Sequence, residues 1–311
     1  MSSRIIVTGG GGFIGWHLTT ALVRRGDVVE AWVRDLGTGS PRPDVSPAVV
    51  DVGDRAAVAQ ALARFSPDVV IHLAARSLVG PSWDDPGKTY STNVLGTINV
   101  LEAARALSKP PRVVLAGSSA EYAEPSDDRL IAETAPLEPN SPYASSKMAA
   151  NDFAQLCVRR YGSDIVRFRP FFLIGPRKTG DVCSDFARRI VAIERGDAAP
   201  MRVGTLSVVR DMMDVRDGVA GIISIVERGT SGEIYNVCSG RGSAIGTVLE
   251  IYRRLAREAV AVEQDPSLLR PLDQTSKIGD PAKLRSLGWE PHIGLEESLR
   301  GILEYWRAAR P

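Results

Sequence analysis

Several ingredients are scarce in this chain, and each scarcity removes a class of function. Cysteine occurs only at Cys157, Cys183 and Cys238, a scatter that fits neither a disulfide framework nor a zinc site. His17, His72 and His292 are the only histidines. They are too few and too dispersed for a metal cluster, so no metal is expected. Neither sign of charge is in excess, with Lys+Arg at 38 against Asp+Glu at 37. No overall field therefore favours nucleic acid or an anionic membrane. No apolar run reaches the ~18 residues of a transmembrane helix. The first residues lead into a strand without a basic-then-apolar leader, and the expectation is a cytoplasmic enzyme. Lysine is rare beside arginine, which makes each lysine easier to single out.

What is present is a glycine loop in a telling place. Ile5-Ile6-Val7 reads as a strand buried on both faces. Thr8-Gly9-Gly10-Gly11-Gly12-Phe13-Ile14-Gly15 follows, and then a helix from Phe13 to about Arg25. Gly9 suits the tight turn out of the strand, Gly12 leaves room for a pyrophosphate, and Gly15 lets the helix pack close. The first amides of that helix, at Phe13 and Ile14, would face the phosphates. A glycine pattern alone is weak, but strand before and helix after make it a dinucleotide site.

At 311 residues and 44% hydrophobic, the chain can bury one large core and a smaller lobe. Strands and helices alternate through the first half, predicting an α/β Rossmann fold: a doubly wound parallel sheet with helices on both faces. Residues 1–170 read as the NADP-binding domain, with 211–238 returning to its sheet. Residues 171–311 read as a C-terminal substrate domain.

In chain order, strand Val28–Val33 ends at Arg34-Asp35. An acid there would bond a ribose 2′-hydroxyl, whereas an arginine can pair with a 2′-phosphate, so NADP(H) is favoured over NAD(H). A third strand over Ala48–Val52 brings Asp51 and Val52 to the adenine, the alternative for Asp51 being a helix-capping or turn carboxylate. A helix over Arg55–Phe65 follows. A fourth strand, Val69–Ala75, passes Leu73, Ala74 and Ala75 close to the cofactor. After a polar loop (Pro81–Gly87), a helix over Thr89–Leu107 carries Asn93, placed to bond main chain. The fifth strand, Val113–Gly117, delivers Ser118 and Ser119 at its carboxyl end, where ligands bind in open α/β sheets. A sixth spans Ile165–Arg169.

Tyr143 and Lys147 are four apart on a helix that runs to about Tyr161, so they share a face. An ammonium and an oxidised nicotinamide nearby would favour phenolate and lower the tyrosine pKa. Tyr143 then becomes a proton carrier near neutral pH. Lys147 would also bond the nicotinamide ribose, and Ser118 would hold the substrate oxygen. This set suits hydride transfer at a carbinol or ketone.

These residues resemble the extended short-chain dehydrogenase/reductases that act on nucleotide sugars. The matches are Thr8-Gly9-x-x-Gly12-x-x-Gly15, Asp51, Ala74-Ala75, Asn93, Ser118, Tyr143 and Lys147. Others are Arg169-Pro170-Phe171, Val209-Arg210-Asp211-x-x-Asp214-Val215, Tyr235-Asn236-Val237, Arg270-Pro271-x-Asp273 and Leu287-Gly288-Trp289-x-Pro291. Nearly the whole chain is covered. Within the family it is most similar to the GDP-sugar branch, including GDP-4-keto-6-deoxy-mannose reductases. The resemblance implies that Pro170 lies beside the cofactor and that Ser119 and Glu121 meet the substrate. It also implies that Arg189, Arg210 and Arg270 clamp a diphosphate while Asp273 contacts the nucleotide end. A homodimer through the helices Thr89–Leu107 and Ala144–Tyr161 is implied too.

Two departures stand out. Where the 4,6-dehydratases carry Asp-Glu or Ser-Glu directly after the serine or threonine, this chain has Ser119-Ala120 after Ser118. Glu121, if the segment is extended, points to the opposite face. That speaks against elimination and leaves a ketone reductase, a 4-epimerase or a non-catalytic binding protein. Phe172 stands where many relatives carry asparagine, so one pocket wall is apolar.

Overall fold

The computed structural model describes residues 2–36, 45–124, 129–197, 199–268 and 276–309. Its strands are β1 (Arg4–Thr8), β2 (Val28–Val33), β3 (Ser46–Val49), β4 (Val69–His72), β5 (Arg112–Ala116), β6 (Ile165–Pro170) and β7 (Phe172–Ile174). They continue with β8 (Met201–Val203), β9 (Val209–Asp214), β10 (Ile234–Val237), β11 (Gly242–Ala244), β12 (Val262–Gln264) and β13 (Ser276–Lys277). Seven strands form one parallel sheet in the order β10-β6-β5-β4-β1-β2-β3. The order reverses between β1 and β4, which opens a crevice at their carboxyl ends. The expected doubly wound Rossmann sheet is present.

Alternation along β1 explains why helices cover both faces. Ile5 and Val7 join one core with Leu18, Leu22, Phe168 and Ile222. Ile6, between them, joins the opposite core with Trp32, Leu62, Val70 and Leu115. A third core, built from Ile174, Phe186, Met212, Val248, Tyr252 and Leu299, belongs to the second lobe. Strand β9 pairs with β11, β13 and β7 in a small separate sheet. Met212 faces the lobe core and Met213 the Rossmann core, so this strand stitches the two together.

Several expected boundaries shift. The third strand is Ser46–Val49 rather than Ala48–Val52, because Asp51 turns the chain by accepting the Gly53 amide at 2.9 Å. The fourth strand stops at His72, since the Leu73 and Ala74 amides turn to donate to Thr8 Oγ1. The supposed loop Pro81–Gly87 overlaps a short helix, Val79–Asp84. The long helix after it begins at Pro86–Tyr90, passes through a π-helical turn at Ser91–Leu95 and ends with Gly96–Arg105. The return to the large sheet falls within the expected 211–238 and is made by helix Val215–Arg228 and β10, while β9 joins the small sheet. Leu284 and Trp289 also pack in the Rossmann core, so the second lobe is not one continuous stretch.

Candidate active site and cofactor cradle

The glycine loop is shaped by contacts that a Cβ would destroy. Gly9 has φ +68°, and a Cβ on Gly15 would stand 2.2 Å from Gly9 O. Gly12 caps helix Phe13–Arg24 without any side-chain bond, and no acid stands in the first turn. The leading amides at Phe13 and Ile14 therefore meet no capping side chain, which fits a pyrophosphate. At the tip of β2, Arg34 keeps 70% of its side chain exposed and lies 3.7 Å from Asp35. A guanidinium so placed fits a 2′-phosphate. Asp51 is exposed beyond β3 and Val52 is buried in the core beside Gly96.

Beneath the loop lies a one-way chain of hydrogen bonds that the sequence does not announce. The Thr97 hydroxyl donates to Asn93 O at 2.6 Å, so its oxygen must accept from His72 Nε2 at 3.0 Å. His72 Nδ1 then accepts from Thr8 Oγ1 at 2.7 Å, and that oxygen takes the Leu73 and Ala74 amides. Burial pushes the His72 pKa down to about 3. The imidazole is neutral and serves as a fixed connector that holds the β4 terminus against the glycine loop. Asn93 bonds both the amide and the carbonyl of Arg76 and donates to Ser146 at 2.8 Å. It ties the loop after β4 to the helix Pro142–Tyr161.

That helix starts with Ser141 as its cap, then Pro142 at the first turn. Tyr143, Lys147 and Asn151 fall on one buried stripe at four-residue spacing. The Ser118 hydroxyl lies near enough to the Tyr143 phenol to pull its pKa down. Lys147 Nζ donates to Ala116 O at 2.7 Å, at the carboxyl end of β5. The expectation of a lowered tyrosine pKa is not met. Burial raises it, the Ser118 hydroxyl offsets part of the rise, and the charge of Glu121 adds to it. Burial also brings Lys147 down to about 8. Here desolvation outweighs charge, and the ammonium is turned to a carbonyl.

Glu121 corrects a second expectation. The segment after Ser118 is a 3₁₀ turn, Ser119–Glu121, not extended chain. Ser118 and Glu121 form a reciprocal capping box, with Ser118 N donating to Glu121 Oε1 at 2.7 Å. Asn151 and Arg169 Nε donate to the same carboxylate, the latter at 2.9 Å. Glu121 is wholly buried and cannot meet a substrate. Gly117 is required beneath it, since a Cβ would stand 2.5 Å from Glu121 Oε1. Arg169 also bonds the Tyr122 phenol at 3.0 Å, and Tyr122 donates to Asn236 Oδ1 at 2.7 Å. This network fixes the backbone that presents Ser118, while Ser119 stays half-exposed beside it.

The arginine clamp is brought together only in part. Arg210 is half-buried on β9, next to Asp211, whose carboxylate accepts from Ser239 N and Oγ, Gly240 N and Gly279 N. Arg189 is not part of this group. It pairs with Asp197 and the Ala199 carbonyl, because its helix Val182–Glu194 carries it toward that loop. Arg270 and Asp273 lie outside the described residues. Pro170 ends β6, level with Val237 of β10. The Phe172 wall carries a cation: Lys178 Nζ sits 4.1 Å over its ring and 5.6 Å from that of Phe13. The lysine thus bridges β7 and the start of the helix that follows the glycine loop.

A Rossmann sheet, a glycine loop fitted to a dinucleotide and a Ser118–Tyr143–Lys147 group at its edge define a nicotinamide-dependent oxidoreductase of the extended short-chain dehydrogenase/reductase type. The chain belongs to the GDP-mannose 4,6 dehydratase family, whose profile matches residues 6–302. It is 32% identical to GDP-6-deoxy-D-mannose reductase of Pseudomonas aeruginosa, covering 99% of this chain and 98% of that one. Among solved structures, UDP-glucose 4-epimerase of Thermus thermophilus in complex with NAD superposes with a TM-score of 0.89 at 31% identity. The match covers 99% of this chain and 100% of that one. RMD from Pseudomonas aeruginosa, complexed with NADPH, gives 0.86 at 30% identity, with 99% of each chain covered.

Proposed function

We propose that this protein reduces the C4 ketone of a GDP-linked 4-keto-6-deoxy sugar at the expense of NADPH. The observation that carries the reading is the placing of the buried Tyr143 phenol near the Ser118 hydroxyl, at the carboxyl edge of β5. When bound, the reduced nicotinamide supplies the hydride. A phenol whose pKa is raised stays protonated at neutral pH, which suits it to give its proton to the carbonyl oxygen. The Ser118 hydroxyl holds that same oxygen, a bond worth ~2–4 kcal/mol in such sites. Lys147, anchored at Ala116 O, keeps N–H donors for a ribose hydroxyl. Arg34 takes the 2′-phosphate and Arg210 the substrate diphosphate. Elimination is disfavoured, because Glu121 spends its carboxylate on Ser118, Asn151 and Arg169. Similarity to the P. aeruginosa reductase supports the sugar and the base.

A 4-epimerase is the second reading. It is favoured by the likeness to the T. thermophilus enzyme and by Asp35, which stands where NAD enzymes bond a ribose hydroxyl. Cofactor turnover separates the two: a reductase consumes NADPH with each sugar reduced, and an epimerase shows no net change. Tyr143→Phe should lower kcat about 10²- to 10⁴-fold. A variant as fast as the parent would refute the proposed acid. A homodimer fits the exposed Leu95 and Leu156 on the two helices named above. Ala150 and Phe153, in contrast, pack inward.

A further inference from the structure

Lys277 is a buried cation, 7% exposed, on β13. It is the register partner of Arg210 on β9, so both side chains leave the small sheet on one face, with backbones about 5 Å apart. Its ammonium makes a single long hydrogen bond, 3.4 Å to Tyr122 O. It therefore leans from the second lobe onto the segment that begins with Ser118. The Glu124 carboxylate acts on it from that segment and the like-charged Arg210 from β9. No hydrogen bond or ion pair joins it to an acid among the described residues. Two of its three N–H donors lack a protein partner there. Burying an ammonium in this way is costly unless a counter-charge arrives. Lys277 thus links Arg210, its register partner, to Tyr122, four residues along the chain from Ser118.

We propose that Lys277 is a substrate-contacting, specificity-determining residue whose ammonium pairs with an anionic oxygen in the diphosphate–sugar half of a nucleotide sugar, beside Arg210. The assignment rests on the nucleotide-sugar reading above. Burial first, then the opposing pulls of Glu124 and Arg210, set its pKa at about 8. Anion affinity should therefore decline as pH rises through that value.

Lys277→Met and Lys277→Arg are compared with the parent, without NADPH, for binding of GDP-mannose, UDP-glucose, guanosine and uridine. The Met variant should bind the accepted nucleotide sugar at least tenfold more weakly and its nucleoside unchanged, and the Arg variant should bind both like the parent. Between pH 7 and 9.5 the parent should lose affinity severalfold while the Arg variant holds its own. The melting temperature of the ligand-free Met variant should equal or exceed the parent's, which a merely structural role would not produce. Undiminished nucleotide-sugar binding by the Met variant, or an equal loss for the nucleoside, overturns the assignment. If that variant fails to fold, the parent-against-Arg pH comparison decides, and equal slopes overturn it. A parent that binds neither nucleotide sugar overturns the substrate class and Lys277 together. A parent that binds one yet consumes no NADPH with the keto sugar sinks only the reductase.

Discussion

Two buried carboxylates sit under the two halves of the site, and they are held in opposite ways. Glu121, under Ser118, is paired with the Arg169 guanidinium and capped by Asn151 and a backbone amide. Asp211, next to Arg210, takes four hydrogen bonds from neutral donors on Ser239, Gly240 and Gly279. Burial raises its pKa and those bonds offset part of the rise. The Ser118 half therefore rests on a charge pair, and the Arg210 half on oriented dipoles. Removing one member of a pair strands the other's charge, whereas a neutral shell tolerates a neutral replacement better.

The largest effect should come from Glu121→Gln, which leaves Arg169 buried without its counter-charge at a cost of about 3–5 kcal/mol. Denaturant unfolding measures it, and adding Arg169→Met should restore much of the loss. Asp211→Asn should cost less, ~1–3 kcal/mol, since it turns an amide NH₂ toward donors but strands no charge. Equal costs for the two amide variants would collapse the contrast.

Within the Ser118 half, kcat/KM for ketone reduction should hold up to about pH 8 and fall above it. Lys147 loses its proton there, its pKa having been brought down by burial. The smallest effect belongs to Arg34, exposed at the edge. Arg34→Ala should raise KM for NADPH roughly tenfold, about 1.4 kcal/mol, and leave KM for NADH unchanged. A loss shared by both cofactors would reject a 2′-phosphate contact.

Elements written in contiguous residues were legible beforehand. The strand–Gly9–Gly12–Gly15–helix unit, the alternating first half and the Tyr143–Lys147 stripe all depend on local backbone periods. The third and fourth strands were misjudged at their ends, where the Asp51 carboxylate and the Thr8 hydroxyl divert the backbone. Local pattern does not reveal a side chain arriving from 65 residues away. Arg189 was misassigned for a related reason, since its partner Asp197 lies past the end of its own helix.

By itself, then, the order of residues determined the parallel sheet, the crevice that receives a dinucleotide and which tyrosine shares a buried helix face with which lysine. Those outcomes follow from short-range geometry and apolar alternation. Only the tertiary structure decided the ionisation of that phenol, the burial of Glu121 and the pairing of Lys277 with Arg210. Each of these depends on how much water the folded lobes exclude and on charges brought close from distant segments.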